Sequence, residues 1–270
     1  MPQRPLVYAH RGGALLRPEN TILAFDHGLS LGADGLELDV HLSRDGIVVI
    51  HHDPMLDRTT GARGPLAQRT ADELAQIDAA YWFDDGREEY PYRAQGIGIP
   101  RLSDVLARYP GIPLIIELKV NHPELARRVI EDVRRAGAGD RVVFGSFGWR
   151  VLRAVRALEP RIPTGASSEE VRWALYRSWV RWPLGKPRYR ELQVPEQAGM
   201  TRIVTPRFIR HAHRAGVLVK VWTVDDPADM QRLLGWGIDA LITDRPDLAV
   251  ACVTARSSGR EASGTGNKPA

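Results

Sequence analysis

Short β-type runs alternate with helix-patterned segments along most of the chain, and this alternation restricts the possible folds more than any single motif does. Runs rich in Val, Ile and Leu read as strands at 6–10, 35–41, 113–119, 141–147, 163–167, 191–195, 217–223 and 239–243. Segments with apolar residues at i, i+3 and i+4 follow most of them, at 21–31, 123–136, 149–158, 169–182, 206–215, 227–236 and 246–252. A parallel neighbour is reached only through a crossover of a dozen or more residues, usually a helix, so each strand and helix pair adds one parallel strand. Eight strands, seven of them followed by such a helix segment, in about 250 residues predict an α/β fold, a (β/α)8 TIM barrel.

Two stretches depart from the regular plan. Residues 54–98 are rich in turn residues and carry Tyr81, Trp82, Phe83, Tyr90 and Tyr92, too long a segment for an ordinary loop. They read as a small insertion after the second strand, expected to cap the pocket. Residues 254–270 are mostly Gly, Ser and charge and are expected to be a disordered tail, which leaves 1–253 as a single barrel domain. The chain has 270 residues, 43% of them hydrophobic, enough for one large core. Its one cysteine, Cys252, excludes a disulfide within the chain, and no run approaches the ~18 apolar residues of a membrane span. A soluble, cytoplasmic protein of open oligomeric state is the expectation. The net charge of +4 and pI near 9.4 come from arginine-rich helices and read as a solvated basic surface, with no nucleic-acid partner expected.

The acidic residues carry the chemistry. Glu37 and Asp39 stand two apart on a strand, so both side chains leave the same face, between Leu36, Leu38 and Val40 where unpaired charge is costly. The turn at Ser43, Arg44, Asp45 and Gly46 is too short for a helix, so 47–52 must return as an antiparallel hairpin. With Ser43 facing Gly46, His52 lies across from Glu37 and shares its side, while His51 points away. His10 ends the first strand at the same rim, and Glu117 ends the third, two residues before Lys119. Three carboxylates without a nearby cysteine make a hard oxygen site suited to Ca2+ or Mg2+. A phosphodiester needs a base, an acid and positive charge on its phosphoryl oxygens, and histidine serves either proton role near neutrality.

The stretches AHRGGALLRPENT (9–21) and LELDVHLSRDGIVVIHHD (36–53), with VVIHHDPMLDRTT, PRLSDVL, PLIIELK, VVFGSF, VKVWTVDD and ALITDRP further on, resemble the glycerophosphodiester phosphodiesterase family over roughly residues 7–248. The resemblance implies that His10 and His52 are the acid/base pair, that Glu37, Asp39 and Glu117 hold one divalent ion, and that Arg11 and Lys119 contact the phosphate. The implied substrate is a small glycerophosphodiester, cut to glycerol 3-phosphate and an alcohol through a cyclic phosphate or by direct attack of water. Trp222 stands at the seventh rim position, where it packs against glycerol carbons, and Lys220 adds charge from the same face. Glu19 orients its loop or Arg11, Asn20 is read as the N-cap of the first helix, and Asp244 as either a rim acceptor or, preferably, the cap of the last helix. The segment 171–184 mixes Trp173, Tyr176, Trp179 and Trp182 with arginines, as an outer barrel helix or a surface that meets lipid. The second alternative brings in a lysophospholipase D-type activity on lipid phosphodiesters, as in the similar phospholipase barrels. A non-catalytic phosphate-binding protein is the remaining one.

Overall fold

The computed structural model describes residues 4–86 and 89–264. In chain order the strands and α-helices are β1 (Leu6–His10), α1 (Ile22–Ser30), β2 (Gly35–Leu42), β3 (Val48–Ile50), α2 (Ala71–Ala75), α3 (Leu102–Arg108), β4 (Leu114–Leu118), α4 (Pro123–Arg135), β5 (Val142–Gly145) and α5 (Trp149–Leu158). There follow α6 (Ser168–Trp179), β6 (Glu191–Pro195), β7 (Gln197–Ala198), β8 (Thr201–Arg202), α7 (Pro206–Arg214), β9 (Leu218–Trp222), α8 (Pro227–Trp236), β10 (Ala240–Thr243) and α9 (Pro246–Gly264). Seven parallel strands in the order β5, β4, β2, β1, β10, β9, β6 curve into a barrel, with helices packed outside. The gap between β5 and β6 is spanned by two parallel bridges, Phe144 to Thr164 and Gly165 to Glu191. The fold is the expected (β/α)8 TIM barrel.

The strand expected at 163–167 is therefore reduced to these bridges. Pro163 has no N–H to donate, and Ser167 already serves as N-cap of α6, its side chain accepting from the Glu170 amide, so little length is left for pairing. Glycine completes the join: a Cβ on Gly145 would come within 2.5 Å of Gln193 Oε1, which fills the barrel interior there.

The hairpin of β2 and β3 pairs Val40 with Ile50, His41 with Val49 and Leu42 with Val48, one residue out from the expected register. The turn has three central residues rather than two, because Ser43 donates its amide to Ile47 O at 3.0 Å and Gly46 takes a φ of 75°. Continued by two more residues, this register would put His52 opposite Leu38, on the wrong face. The strand instead ends at Ile50 and the chain bends, a bend fixed by the His41 ring against His52 O at 3.0 Å.

Residues 54–98 form a layer of their own. Leu56, Leu66 and Leu74 pack with Val49 and Ile99 in a small apolar cluster, and a 3-10 turn at Leu66–Gln68 leads into α2. The aromatics are satisfied among themselves: the Arg93 guanidinium lies 4.1 Å from the Tyr81 ring centre and 3.8 Å from that of Tyr90. At the far end, α9 runs to Gly264 and takes 254–264 into its backbone, where an unstructured tail was expected. Ala249 and Val253 anchor its inner face, and no proline interrupts the sequence before Pro269. Residues 265–270 of that tail lie outside the described residues. No helix among the described residues is long and apolar enough to cross a membrane.

Candidate active site

Register alone brings the acidic residues together. β1 pairs His10 with Glu37, and β2 pairs Asp39 with Glu117 two residues further along, so neighbouring parallel strands present these side chains on one face in two successive rows at the rim. Oxygens of Glu37, Asp39 and Glu117 lie within 4.8 Å of one another. Asp39 is 1% exposed and Glu37 5%. Burial and the neighbouring charge of Asp39 push both Glu37 and Glu117 above the usual carboxylate range. Lys119 Nζ lies 3.2 Å from Glu117 Oε1, yet at an angle that leaves this buried oxygen without a hydrogen bond. A triad of hard, mutually repelling oxygens with an unsatisfied acceptor fits a divalent cation such as Ca2+ or Mg2+.

Basic groups close the other side. Arg11 donates its backbone N–H to Glu37 Oε2 at 3.1 Å, holds Glu19 at 3.0 Å, and brings Nε to 3.3 Å from Asp39. It adopts a left-handed φ of 51°, followed by Gly12 at 89°, where a Cβ would meet Ala24 Cβ at 2.6 Å. The HRGG run is thus a turn pressed onto α1 that carries the guanidinium back over the strands. Lys119 lies 3.3 Å from Asp39 Oδ1.

The two histidines differ in their settings. His10 Nδ1 meets Asp244 Oδ1 at 2.7 Å, and Nε2 lies 3.8 Å from Glu37. Burial works to lower its pKa, but Glu37 and Asp244 outweigh it and push it up to about 9. His52 Nδ1 meets Asp53 Oδ1 at 2.6 Å. For His52 burial prevails over the pull of Asp39, and its pKa falls below the ordinary imidazole value. His10, Arg11, Glu37, His52, Glu117 and Lys119 share one pocket of about 110 Å3, and Phe147 and Trp222 form its apolar wall, their rings edge to face at 5.8 Å.

Several expectations change here. Asn20 is not the helix cap: Thr21 accepts from the Ala24 amide, while Asn20, at φ 58°, donates to Asp39 Oδ2 at 2.9 Å and so belongs to the site. Asp244 is the rim acceptor, because its carboxylate turns to His10 and the Arg245 amide is taken by Thr243 Oγ1. Lys220 adds no charge to the pocket; it is buried below, 2.9 Å from Glu191 and 3.3 Å from the Tyr8 hydroxyl. Among the described residues of 54–98, none lines this pocket. Arg58, Trp82 and Phe83 instead border a separate cleft with Leu15, Pro18 and Glu19. His51 also stays outside, its ring against Met55 O at 3.3 Å. Asp53 and Arg58 escaped the sequence reading: Arg58 holds Asp53 at 2.5 Å and Glu19 at 2.7 and 2.8 Å, tying the His52 loop to the Arg11 loop. Adjacency of Asp53 to His52 was the available signal; nothing local marks Arg58.

Fold and site together define a barrel hydrolase of the phosphodiesterase class. A family model described as "Glycerophosphoryl diester phosphodiesterase family" matches residues 10–248, and the chain belongs to that family. It is 30% identical over 257 residues to a glycerophosphodiester phosphodiesterase of Caldanaerobacter subterraneus, covering 93% of this chain and 98% of the relative. It resembles the structure of a putative glycerophosphoryl diester phosphodiesterase from Silicibacter pomeroyi with TM-score 0.78 at 27% identity, over 95% of each chain. It also resembles a phosphodiesterase of Oleispira antarctica solved with the product sn-glycerol-3-phosphate, with TM-score 0.75 at 29% identity, over 93% of this chain and 97% of that one.

Proposed function

We propose that the chain hydrolyses glycerophosphodiesters to glycerol 3-phosphate and an alcohol, in a cytoplasmic setting, using a divalent ion and the pair His10 and His52. The observation that carries this reading is the opposite electrostatic setting of two histidines on one carboxylate-lined pocket. His52, held below the ordinary imidazole range, is neutral at pH 7 and takes the proton of the attacking oxygen. His10, pushed up to about 9, is an imidazolium and gives its proton to the departing alkoxide. Arg11 and Lys119 meet the phosphoryl oxygens as negative charge grows on them. Glu37, Asp39 and Glu117 would hold Ca2+ or Mg2+, which supplies positive charge to the phosphoryl group and acidity to the attacking hydroxyl. Trp222 and Phe147 pack against the glycerol carbons. Attack by the glycerol 2-hydroxyl and attack by water ask the same of the two histidines. The product named in the Oleispira antarctica structure supports the substrate class.

The deciding test is release of glycerol 3-phosphate from a panel of glycerophosphodiesters, before and after exhaustive chelation. Activity is expected to vanish on chelation and to return with Ca2+ or Mg2+. Glu37→Gln and Glu117→Gln should behave like the chelated enzyme. Full turnover after metal removal would sink the ligand assignment.

A further inference from the structure

The stretch 171–190, most of α6 and its exit, carries six cations, Arg172, Arg177, Arg181, Lys186, Arg188 and Arg190, and no Asp or Glu. The whole chain, by comparison, has a net charge of only +4. Arg172 has Glu169 at 3.8 Å, while among the described residues no carboxylate pairs with Arg181, Lys186, Arg188 or Arg190. Ala174, Leu175 and Ser178 are buried and fix α6 on the barrel. An outer helix ordinarily turns polar residues to the other side. Here that side is apolar too: Trp173, Tyr176, Trp179, Val180 and Trp182 are each more than half exposed. Trp173 stacks on Tyr176 with ring centres 5.7 Å apart, and the Arg177 guanidinium lies 4.8 Å from the Trp173 ring centre, so aromatics and cations form one surface.

The exit of α6 adds a second observation. Trp182 donates its backbone N–H to Arg177 O at 3.0 Å, the bond that closes a helix end around a left-handed residue. Arg181 is that residue, with a φ of 58°. Glycine is the usual occupant of such a position, because it has no Cβ to strain. An arginine there holds an exposed cation between the exposed side chains of Val180 and Trp182, at a place where folding favours glycine.

We propose that α6 and its exit form a docking surface for an anionic lipid bilayer, with the exposed rings in the head-group layer and the cations on its phosphates. Trp and Tyr favour that layer because one end of the side chain is apolar and the other is polar. Arginine lays its stem on apolar surface and pairs its guanidinium with phosphate oxygens. The charge argues against a second copy of this chain as the occupant, since a twofold contact would set six cations against the same six. A bilayer offers negative charge along the whole segment together with apolar depth for the rings. Docking of this kind holds the protein at a membrane surface whatever ester its pocket cleaves.

The test is flotation of the full chain with vesicles of phosphatidylcholine alone and of phosphatidylcholine mixed with phosphatidylglycerol. Binding to the mixed vesicles should exceed binding to the neutral ones by at least about tenfold at about 0.1 M salt, and the difference should largely vanish at about 1 M. Each cation brought to an anionic surface is worth roughly fivefold in partition, so Arg181→Gly and Lys186→Gln should each weaken binding by about that factor. Arg181→Gly should do so with its melting temperature unchanged or raised, because glycine relieves the left-handed position. Trp179→Ser combined with Trp182→Ser should lower binding by about tenfold or more. If that pair of substitutions impairs folding, Arg181→Gly and Lys186→Gln decide. Absence of binding, equal binding to both kinds of vesicle, or binding that survives the substitutions would overturn the proposal. So would a dimer in analytical ultracentrifugation that Trp179→Ser with Trp182→Ser dissolves, which would assign the surface to a second copy. Turnover of a water-soluble glycerophosphodiester should be the same in all these variants, so a failure of docking and a failure of the hydrolase reading are read separately.

Discussion

A histidine's partners decide which proton it handles. His10 faces Glu37 and Asp244, whereas His52 is half-buried with Asp53 as its one bonded carboxylate, and the two are driven to opposite sides of the free imidazole value. kcat/KM should fall on the acid side as His52 gains a proton below its ordinary range. It should fall again on the alkaline side as His10, raised by Glu37 and Asp244, loses its proton. His52→Ala should remove the acid limb and His10→Ala the alkaline one, each lowering kcat by roughly 100-fold or more on a choline ester. A nitrophenyl phosphodiester, whose leaving oxygen needs no proton, should restore His10→Ala and leave His52→Ala slow; the reverse pattern would exchange the two roles. Arg58 acts through others, as the clamp between Asp53 and Glu19. Arg58→Ala should cost roughly 10-fold in kcat and displace the acid limb, since His52 loses its fixed carboxylate, while Arg58→Lys should recover part of both effects. An unchanged pH profile in Arg58→Ala would leave it a purely structural bridge. The grouping of His10, Glu37, Asp39 and Glu117 was legible because strand alternation and rim position are local properties, whereas His52 reaches them through a bend that its register did not encode. Asn20, Asp53 and Arg58 were not, since their partners are set by a turn, a bend and an inserted loop that no periodicity encodes.

Elements followed the pattern where one force dominates. α5 and α8 begin and end where their apolar spacing does, by amphipathic burial in both and, in α8, by the Asp226 cap and left-handed Gly237 as well. The hairpin slipped by one residue because its register depended on the turn at Ser43 to Ile47, and a side-chain bond from the Ser43 hydroxyl decided it. The aromatic-rich insertion looked like a cap because exposed aromatics suggest ligand contact; instead Arg93 packs on Tyr81, Trp82 and Tyr90, and Phe83 pairs with Tyr92. Leu74 is fully buried in that layer, so Leu74→Ala should destabilise the protein by about 2–5 kcal/mol in denaturant titration. The ratio of kcat/KM between substrates should stay the same. A changed selectivity at unchanged stability would return the insertion to a role at the pocket.

At the scale of the whole molecule, an ion held by the carboxylate triad would link its binding to folding. Glu37 and Asp39, buried, and Glu117, partly buried, repel one another without an ion, and Ca2+ or Mg2+ at a hundred times its Kd should stabilise the protein by about 2.7 kcal/mol. Differential scanning calorimetry should find this rise in Tm absent in Glu37→Gln. Acid has the contrary effect through Glu19. Burial would raise its pKa, but Arg58 and Arg11 bring it from 4.5 down to about 2. The stability this gives is complete above pH 4.5 and is lost as pH falls from there through 2. The melting difference between the wild type and Glu19→Gln should therefore shrink over that window, and a difference that grows on acidification would contradict the pairing.

His10 and Asp244 are 234 residues apart, on the first and last barrel strands, which lie hydrogen-bonded side by side. During translation the ribosome delivers both histidines and all three carboxylates long before it delivers β10. Until that last strand emerges, β1 and β9 are open edges and the His10 imidazole lacks the partner that helps keep it protonated. A polypeptide stopped before β10 would thus carry His10, His52 and all three carboxylates and still lack the carboxylate that pairs with His10. Closure of the sheet and completion of the His10 pair would then be one event, the arrival of β10 between β1 and β9.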